Sequence, residues 1–166
     1  MKHVLLIRHA KSSWKDMSLD DIDRPLNKRG LRDAPFMAQY CRSQELIPTV
    51  IVTSPARRAT ATARFFQKEF ETELTDFVTE TDLYFGSQRD WIYLIENLNK
   101  DVDCAAFFSH NPTITSLANT YTTDYIDNVP TCGVIHLECD ISDWSAISPS
   151  NTKIKNYYFP KLVRQT

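Results

Sequence analysis

The run Val4-Leu5-Leu6-Ile7 constrains this chain more than any other feature. Four consecutive apolar residues leave no polar face, so the strand they form is buried on both sides. A sheet holding such a strand needs a covering layer above and another below, which helices supply in α/β folds. Similar runs return at Thr49-Val50-Ile51-Val52-Thr53 and at Ala105-Ala106-Phe107-Phe108, with a shorter strand around Phe77 and Val78.

The stretches between these runs carry helical spacing. Ala34, Met37, Ala38, Tyr40 and Cys41 mark one helix, and because Pro35 is tolerated only in a first turn, its predicted start is near Leu31. A second helix is expected over Ala56 to Phe70, a third around Trp91, Ile92, Leu94, Ile95 and Leu98, and a fourth after Pro112 to about Tyr121. Gly133 to Glu138 reads as a fifth strand, Asp143 to Ile147 as a strand on the sheet edge, and Tyr157 to Phe159 as a last extended segment. This alternation predicts an α/β chain, a three-layer α/β/α sandwich around a mainly parallel sheet, with residues 1–166 forming a single domain.

The ends of those strands hold the reactive residues. Arg8 and His9 close the first strand, with Lys11 just behind and a long polar loop running to Arg29. Alone, the pair fits either a ligand site at the carboxyl edge of the sheet or the return of the chain to solvent. Ser54 and Pro55 follow the second strand as expected N-cap and first helical residue, and Arg57 and Arg58 sit in that helix's first turn. Cations there oppose the helix dipole, so they either meet an anion or point into water. The fourth strand ends in Ser109-His110-Asn111-Pro112. Together these ends bring arginines and imidazoles to one sheet edge. Arginines grip a phosphoryl group through bidentate contacts, a neutral imidazole serves as nucleophile, and a second imidazole stabilises developing charge.

The net charge of -2 gives no reason to expect a nucleic-acid or membrane partner, so any anion site must come from local clustering of arginines. Two sequence-distant histidines without accompanying carboxylates argue against a metal site. With 3 glycines and neither GxGxxG nor GxxxxGK[ST], no cofactor is expected. The 4 cysteines lack CxxC spacing, no leader fits the start, and no stretch approaches the ~20 apolar residues of a membrane span. The expectation is a reducing, cytoplasmic location.

In their order along the chain, Arg8-His9-Ala10, Ser54-Pro55-Ala56-Arg57-Arg58-Ala59-Thr60-Ala61-Thr62-Ala63 and Ser109-His110-Asn111-Pro112 resemble the histidine phosphatase superfamily, which includes the phosphoglycerate mutases. Arg24-Pro25-Leu26 followed by Arg29-Gly30, together with the short chain, is similar to the SixA-type phosphohistidine phosphatase branch. The resemblance implies a phosphoglycerate mutase-like fold and a phosphatase with His9 as nucleophile and Arg8, Arg58 and His110 as the phosphate pocket. It also implies Arg24 near the site, with Lys11 and the Asn111 backbone as further substrate contacts. Ala10 replaces the family's commoner glycine. Larger relatives carry an acidic residue after the third strand as general acid, for which Asp82 is the choice here and Glu80 the neighbour. A weak or absent acid fits a leaving group that is already good, such as imidazole, so the implied substrate is a phosphohistidine on a phosphorylated protein. The alternatives are a small phosphorylated substrate, such as a sugar phosphate or nucleotide, and a non-catalytic phosphate-binding module.

Overall fold

A computed structural model describes residues 1–165. The strands are β1 (Lys2–Arg8), β2 (Val50–Thr53), β3 (Asp76–Thr79), β4 (Cys104–Ser109), β5 (Val134–Cys139) and β6 (Thr152–Tyr158). The helices are α1 (Lys28–Ser43), α2 (Arg57–Glu69), α3 (Asp82–Phe85), α4 (Gln88–Glu96), α5 (Thr113–Thr120) and α6 (Pro160–Val163). All six strands join one sheet in the order β3-β2-β4-β1-β5-β6, which puts the apolar first strand near its centre.

Alternate residues of β1 feed two separate cores, as burial on both faces requires. Val4 and Leu6 pack with Trp91 and Ile95 of α4 and Ile114 and Leu117 of α5. Leu5 and Ile7 pack with Met37 and Ala38 of α1 and Phe66 of α2. Each fully buried Leu, Ile or Phe contributes ~1.5–3 kcal/mol of transfer free energy. The result is a helix layer on each side of the sheet.

The register positions the site. β1, β4, β2 and β3 run parallel, with Arg8 opposite Ser109 and Thr53 opposite Phe108. The pairing continues past the strand ends, where His9 N donates to Ser109 O at 3.0 Å and Ser54 N to Phe108 O at 2.9 Å. His9, His110 and Ser54 therefore emerge side by side at one carboxyl edge.

Several local expectations change. β5 is antiparallel to β1, and β6 antiparallel to β5, because the segment after α5 returns to the carboxyl end of β1, where Cys132 N donates to Arg8 O at 3.1 Å, before β5 begins. The stretch from Asp143 to Ile147 is a short 3-10 turn (Trp144–Ala146), not an edge strand, and it buries Trp144 and Ile147 at a spacing of three. Helix α1 begins at Lys28, earlier than Pro35 suggests, because the Asn27 side chain caps it by accepting from Gly30 N at 2.9 Å. Pro35 thus lies inside the helix. Gly30 is required where it stands, since an added Cβ would sit 2.2 Å from the Lys11 carbonyl oxygen. That close approach folds the loop from Lys11 to Asn27 back on itself, pinned by the Ser12–Leu26 bridge and by Asn27 N donating to Lys11 O at 2.9 Å.

Candidate active site

His9 is 7 % exposed, and its Nδ1 lies 2.8 Å from the Ala10 carbonyl oxygen. A carbonyl only accepts, so Nδ1 carries the proton and Nε2 keeps its lone pair. Burial pushes His9 down to about 3, with repulsion from His110, Arg58 and Arg8 adding to it, so the ring is neutral at neutral pH. Its backbone is held as well. Ala10 N donates to Thr62 Oγ1 at 2.9 Å, and that hydroxyl donates to Arg58 O at 2.7 Å, locking the strand end onto the first turn of α2.

Arg58 Nε donates to His9 Nε2 at 3.3 Å, so the guanidinium stands directly at the free lone pair. Arg57, its neighbour, is exposed. The rings of His9 and His110 lie 5.1 Å apart between centroids. His110 Nε2 is 2.7 Å from Ser54 Oγ, which also accepts from Ala56 N at 3.2 Å. In the tautomer where the hydroxyl donates to Nε2, the His110 proton sits on Nδ1. Nδ1 is buried and without a hydrogen-bond partner among the described residues, a donor free for an anion. Burial, then Arg58, pushes His110 down to about 3 as well.

Arg8 reaches the site from the other side. Its Nη1 donates to Val129 O at 2.8 Å, while its buried Nε is also unpartnered among the described residues. Burial and repulsion from Arg58 lower the Arg8 pKa, and burial followed by Arg58 does the same to Arg24. Arginines crowded closely enough to depress one another are a site built for an anion.

Arg24 comes from the long loop. It is buried, donates to Ser13 O and to the Ser12 hydroxyl, pairs with Asp21 at 3.0 Å, and stacks 3.3 Å from the centre of the Trp14 ring. Asp21 lies on a 3-10 turn (Asp21–Asp23) and binds Arg58 as well, at 2.9 Å. Tyr84 of α3 donates its hydroxyl to Asp21 Oδ2 at 2.7 Å and sets its ring edge-on to His110 at 5.3 Å.

Of the other expected residues, Asn111 borders this cluster by sharing the Val129 carbonyl with Arg8, while Lys11 and Asp82 make no side-chain hydrogen bond to it among the described residues. Lys11 is exposed, and its carbonyl, not its ammonium, makes its contact. The Asn111 side chain ties down the loop before β5, donating to Asn128 Oδ1 at 2.7 Å and to Val129 O at 3.2 Å. Asp82 is exposed at the start of α3; its carbonyl accepts from the Trp91 indole at 2.9 Å, and its carboxylate makes no hydrogen bond or ion pair among the described residues. From the stretch after β3, it is the Tyr84 ring that meets His110. Ser54, expected as an N-cap, is spent on His110, and Ala56 takes the cap position without a side-chain bond. Ser54 and Thr62 lie in the Ser54-to-Ala63 stretch that carries the resemblance, although their contacts were not expected from it, whereas Asp21 and Tyr84 carry no local motif and only a signal linking residues tens of positions apart would find them. Among the described residues, no group of three or more His, Cys, Asp or Glu is placed to hold a metal ion, and no helix is long and apolar enough to cross a membrane.

A profile of the histidine phosphatase superfamily (branch 1) matches residues 4–86, a segment that contains Arg8, His9 and Arg58. An uncharacterised chloroplastic protein of Arabidopsis thaliana is 41% identical over 70 residues, covering 42% of this chain and 32% of that relative's length. The structure of a candidate phosphohistidine phosphatase SixA from Agrobacterium tumefaciens superposes with a TM-score of 0.81 at 25% identity, over 96% of this chain and 98% of that one. The protein histidine phosphatase SixA in complex with tungstate also reaches 0.81, at 19% identity, over 97% of this chain and 99% of that one.

Proposed function

We propose that this chain, which belongs to the histidine phosphatase superfamily, is a phosphatase that works through a covalent phosphohistidine on His9 and acts on protein phosphohistidine. One observation carries the reading: His9 is buried, neutral and proton-bearing on Nδ1, so that a bare Nε2 meets Arg58 among groups suited to a phosphoryl group.

The reaction has two steps. His9 Nε2 attacks phosphorus in line, the N–P bond forms, and the bond to the leaving group breaks with its electron pair going to that group. Arriving phosphoryl oxygens take over the Arg58 donor that otherwise rests on Nε2. Arg8 Nε and His110 Nδ1, both unpartnered, donate to the remaining oxygens. Ser54 keeps the His110 proton on the correct nitrogen, and the Ala10 carbonyl does the same for His9. Water then hydrolyses the N–P bond and frees His9.

Two observations support phosphohistidine as the substrate. The expected acid, Asp82, is exposed and its carboxylate has no hydrogen bond or ion pair among the described residues, which suits a leaving group that departs without strong protonation. The structural neighbours also include proteins described as phosphohistidine phosphatases. The 4 cysteines, all free thiols, fit a reducing compartment such as the cytoplasm. The test is turnover of N-phosphoimidazole, a phosphohistidine peptide and p-nitrophenyl phosphate by the wild-type chain and by His9→Ala. The expected result is hydrolysis by the wild type, without added metal, and none by the variant. Activity that survives in the variant, or that chelation abolishes, would overturn the assignment.

A further inference from the structure

The Asp21 carboxylate binds two of the site's arginines, and the two steps above make no use of it. Its Oδ2 accepts from Arg58 Nη2 at 2.9 Å and from the Tyr84 hydroxyl at 2.7 Å, and its Oδ1 accepts from Arg24 Nη1 at 3.0 Å. Its backbone carbonyl takes the remaining arm of Arg58 at 2.6 Å. The same Arg58 guanidinium donates through Nε to His9 Nε2, the attacking nitrogen, at 3.3 Å. The side chain is nevertheless 50% exposed, so lone pairs remain open towards a ligand. Burial pushes its pKa up, but the hydrogen bonds from Tyr84 and Arg58 outweigh burial and hold the carboxyl below its usual range. At neutral pH Asp21 is therefore an acceptor with no proton to give.

An ionised carboxylate is an odd neighbour for a phosphate clamp. It repels the incoming dianion and ties up the guanidinium groups meant to hold it. It gains a purpose when the leaving group itself carries an N–H. Resting on the phosphatase reading above, we propose that Asp21 is a specificity-determining residue that accepts the distal N–H of a departing imidazole and so selects phosphoramidates over phosphate monoesters.

The bookkeeping of bonds supports this choice. In an N-phosphorylimidazole protonated on its distal nitrogen, the P–N bond breaks and its electron pair stays on the ring nitrogen. The imidazole leaves neutral with its distal N–H intact, so it needs an acceptor and no proton donor. An ester leaving group, alkyl or aryl, carries no such N–H for Asp21 to accept, and an alkoxide must also be protonated, which Asp21 cannot do, while the Tyr84 proton is committed to it. The same carboxylate thus favours one leaving group and opposes the other.

The test compares kcat/KM for N-phosphoimidazole and p-nitrophenyl phosphate in wild type, Asp21→Asn and Tyr84→Phe, together with inhibition by inorganic phosphate. A hydrogen bond to a charged group corresponds to ~10–100-fold, so Asp21→Asn should lose at least ~10-fold on N-phosphoimidazole. Its loss on the ester should be smaller, so that the ratio of the two kcat/KM values shifts by at least ~10-fold. Tyr84→Phe, which keeps the carboxylate, should preserve the substrate ratio. A parallel fall on both substrates in Asp21→Asn, or an unchanged ratio, would overturn the proposal and leave Asp21 as a mere positioner of Arg58. Phosphate inhibition reports whether the variant pocket is still formed. A wild type that hydrolyses neither compound contradicts the phosphatase reading itself, and this assignment with it.

Discussion

Acidification should destabilise this protein steeply, and its own histidines set the slope. Burial pushes His9 and His110 down to about 3 and His136 down to about 4, all far below the ~6.5 of an unfolded chain. Between those values the unfolded chain binds protons that the folded one refuses, so stability falls as pH drops through that window. Each such group contributes a slope of ~1.4 kcal/mol per pH unit, and three give ~4 kcal/mol per unit. His136 shares a proton with His3 across 3.0 Å, so its share belongs to that pair. The slope applies from about pH 6 to about pH 5, above the range where carboxylates titrate. Against a typical total of ~5–15 kcal/mol, a domain of ordinary stability loses much of it within ~2 pH units. Urea unfolding across that window, followed through the buried Trp91 and Trp144, measures the slope directly. His9→Asn and His110→Asn should each flatten it by about a third. A wild-type slope under ~1.4 kcal/mol per unit, or no change in the variants, would refute neutral, buried imidazoles at the site.

Other perturbations read other parts of the site. Ser54→Ala removes the partner that keeps the His110 proton on Nδ1; it should lower kcat by ~10–100-fold with little effect on thermal stability, checked by kinetics beside a melting curve. Asp82→Asn should leave kcat/KM within ~2-fold, and a loss above ~10-fold would restore Asp82 as the general acid. Gly30→Ala drives a Cβ into the Lys11 carbonyl, whose loop also carries Ser12, Ser13 and Arg24; a cost of ~1–3 kcal/mol by urea unfolding should accompany a raised KM.

What sequence could reveal divides along the range of the interactions. The apolar run before Arg8 was readable because burial on both faces leaves no alternation, and the parallel register then carries His9 beside His110. Of two adjacent arginines, Arg58 is buried with its Nε at His9 and Arg57 is exposed. Strand direction was less legible: Val134–Cys139 has strand periodicity, but periodicity says nothing of polarity, and β5 runs antiparallel. Ser54 shows a local rule overridden by a distant partner, since a good N-cap residue turned instead to an imidazole 56 positions away. Asp21 lies 37 positions from Arg58 and 63 from Tyr84, in a loop where nearby aspartates look alike. Only the fold tells them apart.

The central claim is that His9 Nε2 carries the phosphoryl group during turnover. Mixing the protein with N-phosphoimidazole, quenching in alkali, which spares phosphohistidine, and mapping the adduct by mass spectrometry tests it in one step. The account predicts a single acid-labile phosphoryl group on His9 in the wild type and no adduct in His9→Ala. A phosphoryl group on His110, His3 or His136, or turnover without any adduct, would contradict it.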